Sequence, residues 1–255
     1  MANANHESAA QFLLAARKRG TPGPRIPAEF RPSDIDDGLA IQARMSELIG
    51  QPVGGYKCSL PSAPRPVLMA PIFAPTIVHA STCPVRAVGA TVRIEPEIAF
   101  VMARDLLPRA SPYTESEIRN AIKEARLVLE ILGSRYSDPD SATFPEMLAD
   151  GLANLGLLVG PVLRDPWDRE LESLRIVIDS PSGVLVSHEG KHADDHPVRP
   201  LYWLANYLAD GGTPLRTGMI VTTGSYCGVV DVPTDTPLTF AYGDLGMLSA
   251  TLSRA

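Results

Sequence analysis

Three glutamates occupy positions where a carboxylate is costly. Glu95 and Glu97 flank Pro96 in a strand-like stretch, 92–100, whose other residues are apolar except Arg93. In a strand, residues two apart share a face, so both carboxylates point the same way. Two carboxylates among apolar neighbours repel unless a proton or a cation sits between them, and Mg²⁺ or Mn²⁺ prefers such oxygen ligands. The plain alternative is an exposed edge strand, where proline is tolerated and glutamates face water. Glu130 lies inside 127–132, a run that otherwise reads as fully buried. An isolated buried carboxylate costs several kcal/mol, so it must be paired, protonated or bound to a metal. Arg126 and Arg135 are the nearby cations for a simple ion pair. Three glutamates from two strands would hold one octahedral cation and leave positions for water and substrate.

The elements that must present these groups can be read from periodicity. Ala9, Phe12, Leu13 and Ala16 recur at helical spacing before the Pro- and Gly-broken stretch 20–32. A second helix is expected from Ser33, capped with Asp36, and ending at Gly50. Strands are expected at 92–100 and 127–132. Between them Thr114 and Glu117 spell a capping box for a helix through Ile118, Ala121, Ile122 and Ala125. The stretches 174–179 and 184–187 alternate around Pro181-Ser182-Gly183 as a hairpin. A helical stripe of Leu201, Leu204, Ala205 and Leu208 stops at Gly211-Gly212, and three strands at 219–223, 236–242 and 247–253 follow. The pattern predicts one α+β domain over 1–255, a helical segment 1–52 packed on a β-rich core 53–255.

Composition agrees with a globular domain. The 255 residues are 45% hydrophobic and 20% charged, and 23 basic against 29 acidic side chains give −6, with no basic cluster for nucleic acid. Three scattered cysteines form no C-x-x-C pair, and no apolar run reaches transmembrane length. A signal peptide is not apparent in the first nineteen residues, so a soluble, cytoplasmic protein with no membrane partner is expected.

Seven short motifs occur in a meaningful order: Gly55-Tyr56-Lys57, Glu95-Pro96-Glu97, Glu130 through Ser134-Arg135, Asp150 with Asn154 and Gly156, Trp203-Leu204-Ala205-Asn206, Gly224-Ser225, and Gly243 through Gly246. In that order they resemble the 2-keto-4-pentenoate hydratase family, within the fumarylacetoacetate hydrolase superfamily, over about residues 35–254. The resemblance implies a mixed β-sandwich roll and a 2-oxo acid substrate. It also implies Mg²⁺ or Mn²⁺ on Glu95, Glu97 and Glu130, with Lys57 beside the substrate as the catalytic group. Arg135, Asp150, Asn154, Gly224 and Ser225 would line the substrate site of a homo-oligomeric lyase of aromatic-compound catabolism. Water would add to a 2-oxo or 2-hydroxy alkenoic acid through an enolate. Decarboxylation of a 2-oxo diacid, C–C hydrolysis of an acylpyruvate, and binding without turnover are the alternatives. Ser59, Pro61, Gly133 and Gly151 depart from the family pattern around the substrate pocket, and 71–79 lacks the family's acidic, Gly-containing loop.

Lys57 also has a physical case of its own, because desolvation and neighbouring charge can tune an ammonium for proton transfer. His188-Glu189-Gly190-Lys191-His192 matches H-E-x-x-H by letters only, since zinc proteolysis needs a helix there. A solvated loop, away from the glutamates and binding no zinc, is expected instead. His79 reads as a packed or hydrogen-bonded histidine, and Cys227 has no recognisable catalytic partners.

Overall fold

The computed structural model describes residues 4–164, 166–168 and 170–255. Residues 1–3 of the expected helical segment lie outside the described residues. Helix α1 (Ala4–Arg19) buries Ala9, Leu13 and Ala16 of the stripe read from spacing and leaves Phe12 half-buried. Helix α2 (Ile35–Ile49) is capped by Asp34 rather than Ser33, its carboxylate accepting the Asp37 N–H at 2.9 Å. Ser33 instead donates its hydroxyl to Asp37 at 2.6 Å.

From there the chain is mostly strand. In order come β1 (Val53–Ser59), β2 (Leu68–Phe73), β3 (Ile77–Val78), β4 (Thr82–Val85), β5 (Thr91–Met102), α3 (Glu115–Asn120), β6 (Ile122–Leu132), α4 (Phe144–Ala149) and β7 (Asn154–Leu163). They are followed by β8 (Ser173–Ser180), β9 (Gly183–Lys191), α5 (Val198–Asp210), β10 (Ile220–Ser225), β11 (Val230–Pro233), β12 (Pro237–Tyr242) and β13 (Met247–Arg254). The Thr114–Glu117 capping box is present, but the helix it opens stops before Ile122. Ala125 pairs with Phe100 on one side and Leu163 on the other. Ladder hydrogen bonds to two neighbours override the local helical spacing. Helix α4, with its own capping box of Thr143 and Glu146, was not anticipated from the sequence, and neither were β1, β7 and the short strands β2, β3, β4 and β11.

Two mixed sheets form the core. The larger runs β2-β1-β10-β5-β6-β7-β3, with β11 also paired to β5, and the smaller runs β4-β13-β12-β8-β9. The facing sides bury Ile94, Ile98, Phe100 and Leu129 against Ile176, Phe240 and Leu252. The other side of the larger sheet curls on itself. Ile72, Ala99, Val128, Leu157, Val159 and Ile220 form a separate buried cluster there, and β2 approaches β7 across it. At this closure a Cβ on Gly156 would stand 2.5 Å from the Thr76 carbonyl oxygen, so only glycine fits. This is an α+β fold built as a β-sandwich roll.

The helices complete it. α1 and α2 share a small core with Ile26, Tyr136 and Ala149. α2 pins α4, because Gly38 abuts the Pro145 carbonyl and the Gln42 amide donates to the Leu148 carbonyl at 2.7 Å. The turn following α4 is thereby held against β2, where Ala70, Leu148 and Leu152 pack together. Among the described residues, no helix is long and apolar enough to cross a membrane.

Candidate metal centre

Strand register brings the three glutamates together. β5 and β6 are antiparallel with Glu95 directly opposite Glu130, and Glu97 follows on the same face. One carboxylate oxygen from each of the three lies within 4.8 Å of the other two. Glu97 and Glu130 are buried and Glu95 is half-buried. The edge-strand alternative does not hold, because β5 lies between β6 on one side and β10 and β11 on the other. Pro96 is tolerated in this interior strand by an irregularity. The β10 register with β5 breaks between Thr222 and Ser225, and β11 resumes pairing only at Ile94. The Ser225 hydroxyl donates to the Pro96 carbonyl at 3.0 Å across that break.

Each carboxylate has a distinct set of partners. Glu97 Oε2 accepts the Thr222 hydroxyl and, at 3.0 Å, the Gly224 N–H. Glu130 Oε1 receives Lys57 Nζ and Asn154 Nδ2, both at 2.8 Å. Among the described residues, Glu130 Oε2 is buried with no hydrogen-bond partner. The cation paired with Glu130 is therefore Lys57, not Arg126 or Arg135. Arg126 is taken by Glu124 and Arg135 by Asp150. Lys57 arrives from β1, two strands away from β5, with a side chain only 17% exposed. It is no ordinary surface lysine.

The Lys57 ammonium also donates to the Leu152 carbonyl at 3.2 Å. That carbonyl belongs to a turn in which Gly151, Leu152 and Ala153 are all left-handed, with φ of 78°, 51° and 62°. Left-handed L-residues cost roughly 1–2 kcal/mol each, so the turn must be held from outside. Arg17 and Arg135 both donate to the Asp150 carbonyl, and the Gly133 N–H donates to Ala153 at 2.9 Å. Two departures from the family pattern thus have structural reasons. Gly151 adopts the left-handed backbone, and a Cβ on Gly133 would come within 2.5 Å of Leu155. A third, Ser59, gives its hydroxyl to Asp194 at 2.8 Å.

Charge is incompletely balanced here. Three carboxylates against one ammonium leave a formal −2, the charge that one divalent cation cancels. At such separations each carboxylate pair repels by about 3–4 kcal/mol in an effective dielectric near 20. Burial first, then Glu130 and Glu95, push the Glu97 carboxyl up to about 8. Burial also raises Glu95, with Glu130 adding to it. For Lys57 burial alone would lower the pKa, but Glu130, Glu95 and Glu97 outweigh it and hold the ammonium above its ordinary value. Among the protein's own groups, Lys57 is thus a committed cation rather than the depressed base that desolvation suggested. All-oxygen donors, a net negative charge and one orphaned buried oxygen fit a hard divalent ion such as Mg²⁺ or Mn²⁺.

The remaining sequence candidates gather around this cluster but are engaged with protein groups. Arg135 donates to both Asp150 carboxylate oxygens at 2.6 and 2.8 Å and to the Asn154 carbonyl at 2.8 Å, all of it buried. Asn154 orients Glu130, while Gly224 and Ser225 hold Glu97 and Pro96. Asp150→Asn should therefore act on stability. It leaves a buried guanidinium without its counter-charge, and a loss of about 3–5 kcal/mol is expected in urea unfolding. A change under about 1 kcal/mol would show that the ion pair does not hold this turn.

His188 and His192 behave differently from each other. His188 is exposed on β9, a strand rather than the loop expected there. His192 is 1% exposed, which corrects the expectation of a solvated loop. Its ring stands edge-on to Tyr226 at 5.2 Å, and its Nδ1 accepts the Asp194 N–H at 3.1 Å. Its Nε2 lies 3.4 Å from where a Cβ on Gly224 would sit, behind the residue that binds Glu97. Burial lowers its pKa, so it packs as a neutral ring. His79 is exposed rather than packed as expected, and burial raises the Cys227 thiol away from nucleophile use. Thr222 and the Leu152 carbonyl were not legible in the sequence, since nothing local marks a threonine or a main-chain oxygen as a partner of a distant charge.

No family model matches the chain. A 2-keto-4-pentenoate hydratase of Paraburkholderia xenovorans (strain LB400) is 26% identical over 237 residues, covering 89% of this chain and 87% of that protein. A 2-oxo-hept-4-ene-1,7-dioate hydratase of Escherichia coli is 28% identical over 166 residues, 62% of this chain and 60% of its own. Among solved structures, 4-oxalocrotonate decarboxylase from Pseudomonas putida G7, complexed with magnesium and adipate, superposes with a TM-score of 0.80. It is 20% identical and covers 99% of this chain and 98% of its own. Fumarylpyruvate hydrolase from Pseudomonas aeruginosa, in complex with Mn²⁺ and pyruvate, gives a TM-score of 0.54 at 13% identity, over 78% and 89% of the two chains.

Proposed function

We propose that this chain, a relative of the 2-keto-4-pentenoate hydratases with the fold of the fumarylacetoacetate hydrolase superfamily, is a divalent-metal-dependent lyase that adds water to a 2-oxo or 2-hydroxy alkenoic acid. One observation carries this reading. A buried lysine ammonium is paired to a three-carboxylate cluster that keeps one buried oxygen without a partner. Glu95, Glu97 and Glu130 would hold Mg²⁺ or Mn²⁺, which when bound supplies Lewis acidity toward a 2-oxo oxygen. Lys57 supplies fixed positive charge for the substrate carboxylate and a proton for the substrate carbon. Asn154 keeps Glu130 oriented, and Thr222 with Gly224 does the same for Glu97. Apolar Ala99 and Val128, on the same sheet face, keep the floor of the roll dry. The resemblance further carries a homo-oligomeric state, a cytoplasmic location and a place in aromatic-compound breakdown into this proposal.

Decarboxylation of a 2-oxo diacid is the second reading. It is favoured by Lys57 being held as an ammonium, a proton donor that the carbanion-like product of decarboxylation also needs. Purified protein with Mg²⁺ or Mn²⁺ separates the readings on 2-hydroxypenta-2,4-dienoate, a 2-oxo alkenedioate and an acylpyruvate. Metal-dependent loss of dienoate absorbance with formation of a 4-hydroxy-2-oxo acid is the expected result. Release of CO₂ from the diacid alone would move the assignment to decarboxylase. Cleavage of acylpyruvate alone would make it a hydrolase, and no turnover of any of the three would reduce the chain to a binding protein.

A further inference from the structure

A second cleft, of about 490 Å³, lies on the far side of the larger sheet from the carboxylates. It is lined by Phe73, Ile131 and Leu155 among other apolar side chains and by three cations, Arg17, Lys18 and Arg86. Ile131 and Glu130 are neighbours on β6 and so point to opposite faces, which separates the cleft from the metal centre. Its volume is that of a small-molecule site.

The electrostatics of this cleft are one-sided. Among the described residues, none of the three cations has a carboxylate within the 4.0 Å of an ion pair. Arg86 gives one N–H to the Arg17 carbonyl at 2.9 Å, and Arg17 gives one to the Asp150 carbonyl at 2.7 Å. Among the described residues, the buried Arg17 Nε has no acceptor. Burial, and then the neighbouring Arg135, push the Arg17 guanidinium down to about 9. In a chain of net charge −6, basic side chains gathered on an apolar cleft without ion-pair partners suit an anionic ligand. A guanidinium with free donors recognises a carboxylate by geometry as well as charge, and the apolar walls suit a hydrocarbon body.

We propose that this cleft is a binding site for a small organic monocarboxylate with an apolar chain, its carboxylate on Arg17 and Arg86 and its chain against Phe73, Ile131 and Leu155. The site also has a route to the metal centre. Arg17 and Arg135 share the Asp150 carbonyl, Arg135 donates to the Asn154 carbonyl, and Asn154 donates to Glu130. Occupancy therefore bears on the strained turn that Lys57 touches.

Calorimetric titration of the full chain in EDTA with sodium hexanoate tests this. Without metal, the three glutamates repel a carboxylate, so binding there does not confuse the result. Hexanoate should bind at one site, and hexan-1-ol and sodium sulfate each at least about tenfold more weakly, since each lacks half of the recognition. Arg17→Met should weaken hexanoate by about tenfold or more, and so should Arg86→Glu, at an exposed position that does not threaten folding. Glu95→Gln should leave hexanoate binding unchanged. No hexanoate binding by the native chain would overturn the proposal, and so would equal binding of hexan-1-ol or sulfate. Unchanged affinity in Arg86→Glu, or loss of binding in Glu95→Gln, would overturn it as well.

Discussion

Glu97→Gln is expected to raise the melting temperature of the metal-free protein while abolishing its stabilisation by Mg²⁺. The substituted side chain can still accept the Thr222 hydroxyl and the Gly224 N–H through its amide oxygen, so the local hydrogen bonds survive. What disappears is a carboxylate that burial and two like charges hold at a pKa of about 8. The sign follows from linkage. The folded-state value lies above the ordinary 4.5, so the folded, metal-free protein holds a proton that the unfolded chain releases. Its stability is complete below about pH 4.5 and falls as pH rises towards 8. At neutral pH the penalty is of the order of 1–3 kcal/mol, and for a chain of this size each kcal/mol moves the melting temperature by roughly 2–4 °C. The native metal-free protein should therefore lose stability between pH 5 and 8 more steeply than Glu97→Gln. Added Mg²⁺ should remove the slope in the native protein only. The affinity lost should exceed the roughly 10–100-fold that a supporting hydrogen bond contributes to a metal site. Thermal scans across pH, with and without Mg²⁺, measure all of this. If Glu97→Gln is stabilised by Mg²⁺ as well as the native chain is, Glu97 is not a ligand.

Lys57→Met is expected to act in the opposite direction on the metal-free protein and to remove catalysis. Methionine keeps the length and packing of the stem but deletes the ammonium that pairs with Glu130 at 2.8 Å. Breaking a buried pair by removing one partner costs about 3–5 kcal/mol, because the remaining charge is left uncompensated. The variant should therefore melt earlier than native without metal, and Mg²⁺ should restore more stability to it than to the native chain. With metal bound it should still lose at least about a hundredfold in kcat/KM, the low end for a group that moves a proton. Turnover within a few-fold of native, once Mg²⁺ has restored folding, would demote Lys57 to a scaffold cation. The two variants bracket the cluster: one removes excess negative charge, the other removes the cation paired with it.

The residues at the centre of this site carry their signals locally. Glu95 and Glu97 are marked by a period of two, Glu130 by its intrusion into an apolar run, and the hairpin at 181–183 by its turn residues. These depend on neighbours within a few positions, and periodicity reports such neighbours faithfully. The order of motifs along the chain added Lys57. Its partner could not be read, because the Lys57–Glu130 contact exists only once β10 is placed between β1 and β5, parallel to one and antiparallel to the other. The nearby Arg126 and Arg135 looked better in sequence and were both claimed by other carboxylates.

The sequence by itself determined the class of the fold, the three carboxylates and the turn-rich, strand-dominated core, because hydrophobic spacing and breaker residues act over short range. Tertiary structure alone decided the rest. It extended β6 back through a helical-looking stretch, since ladder bonds on both sides outweigh a weak local preference. It buried His192 behind Gly224, where no spacing pointed. It also held Leu152 and Ala153 in left-handed conformations that both residues disfavour, by bringing Arg17 from the first helix to the carbonyl that Arg135 already reaches. Charge balance around Glu130 belongs to the same category, because a Coulomb energy depends on distance through space, and only the rolled sheet sets that distance.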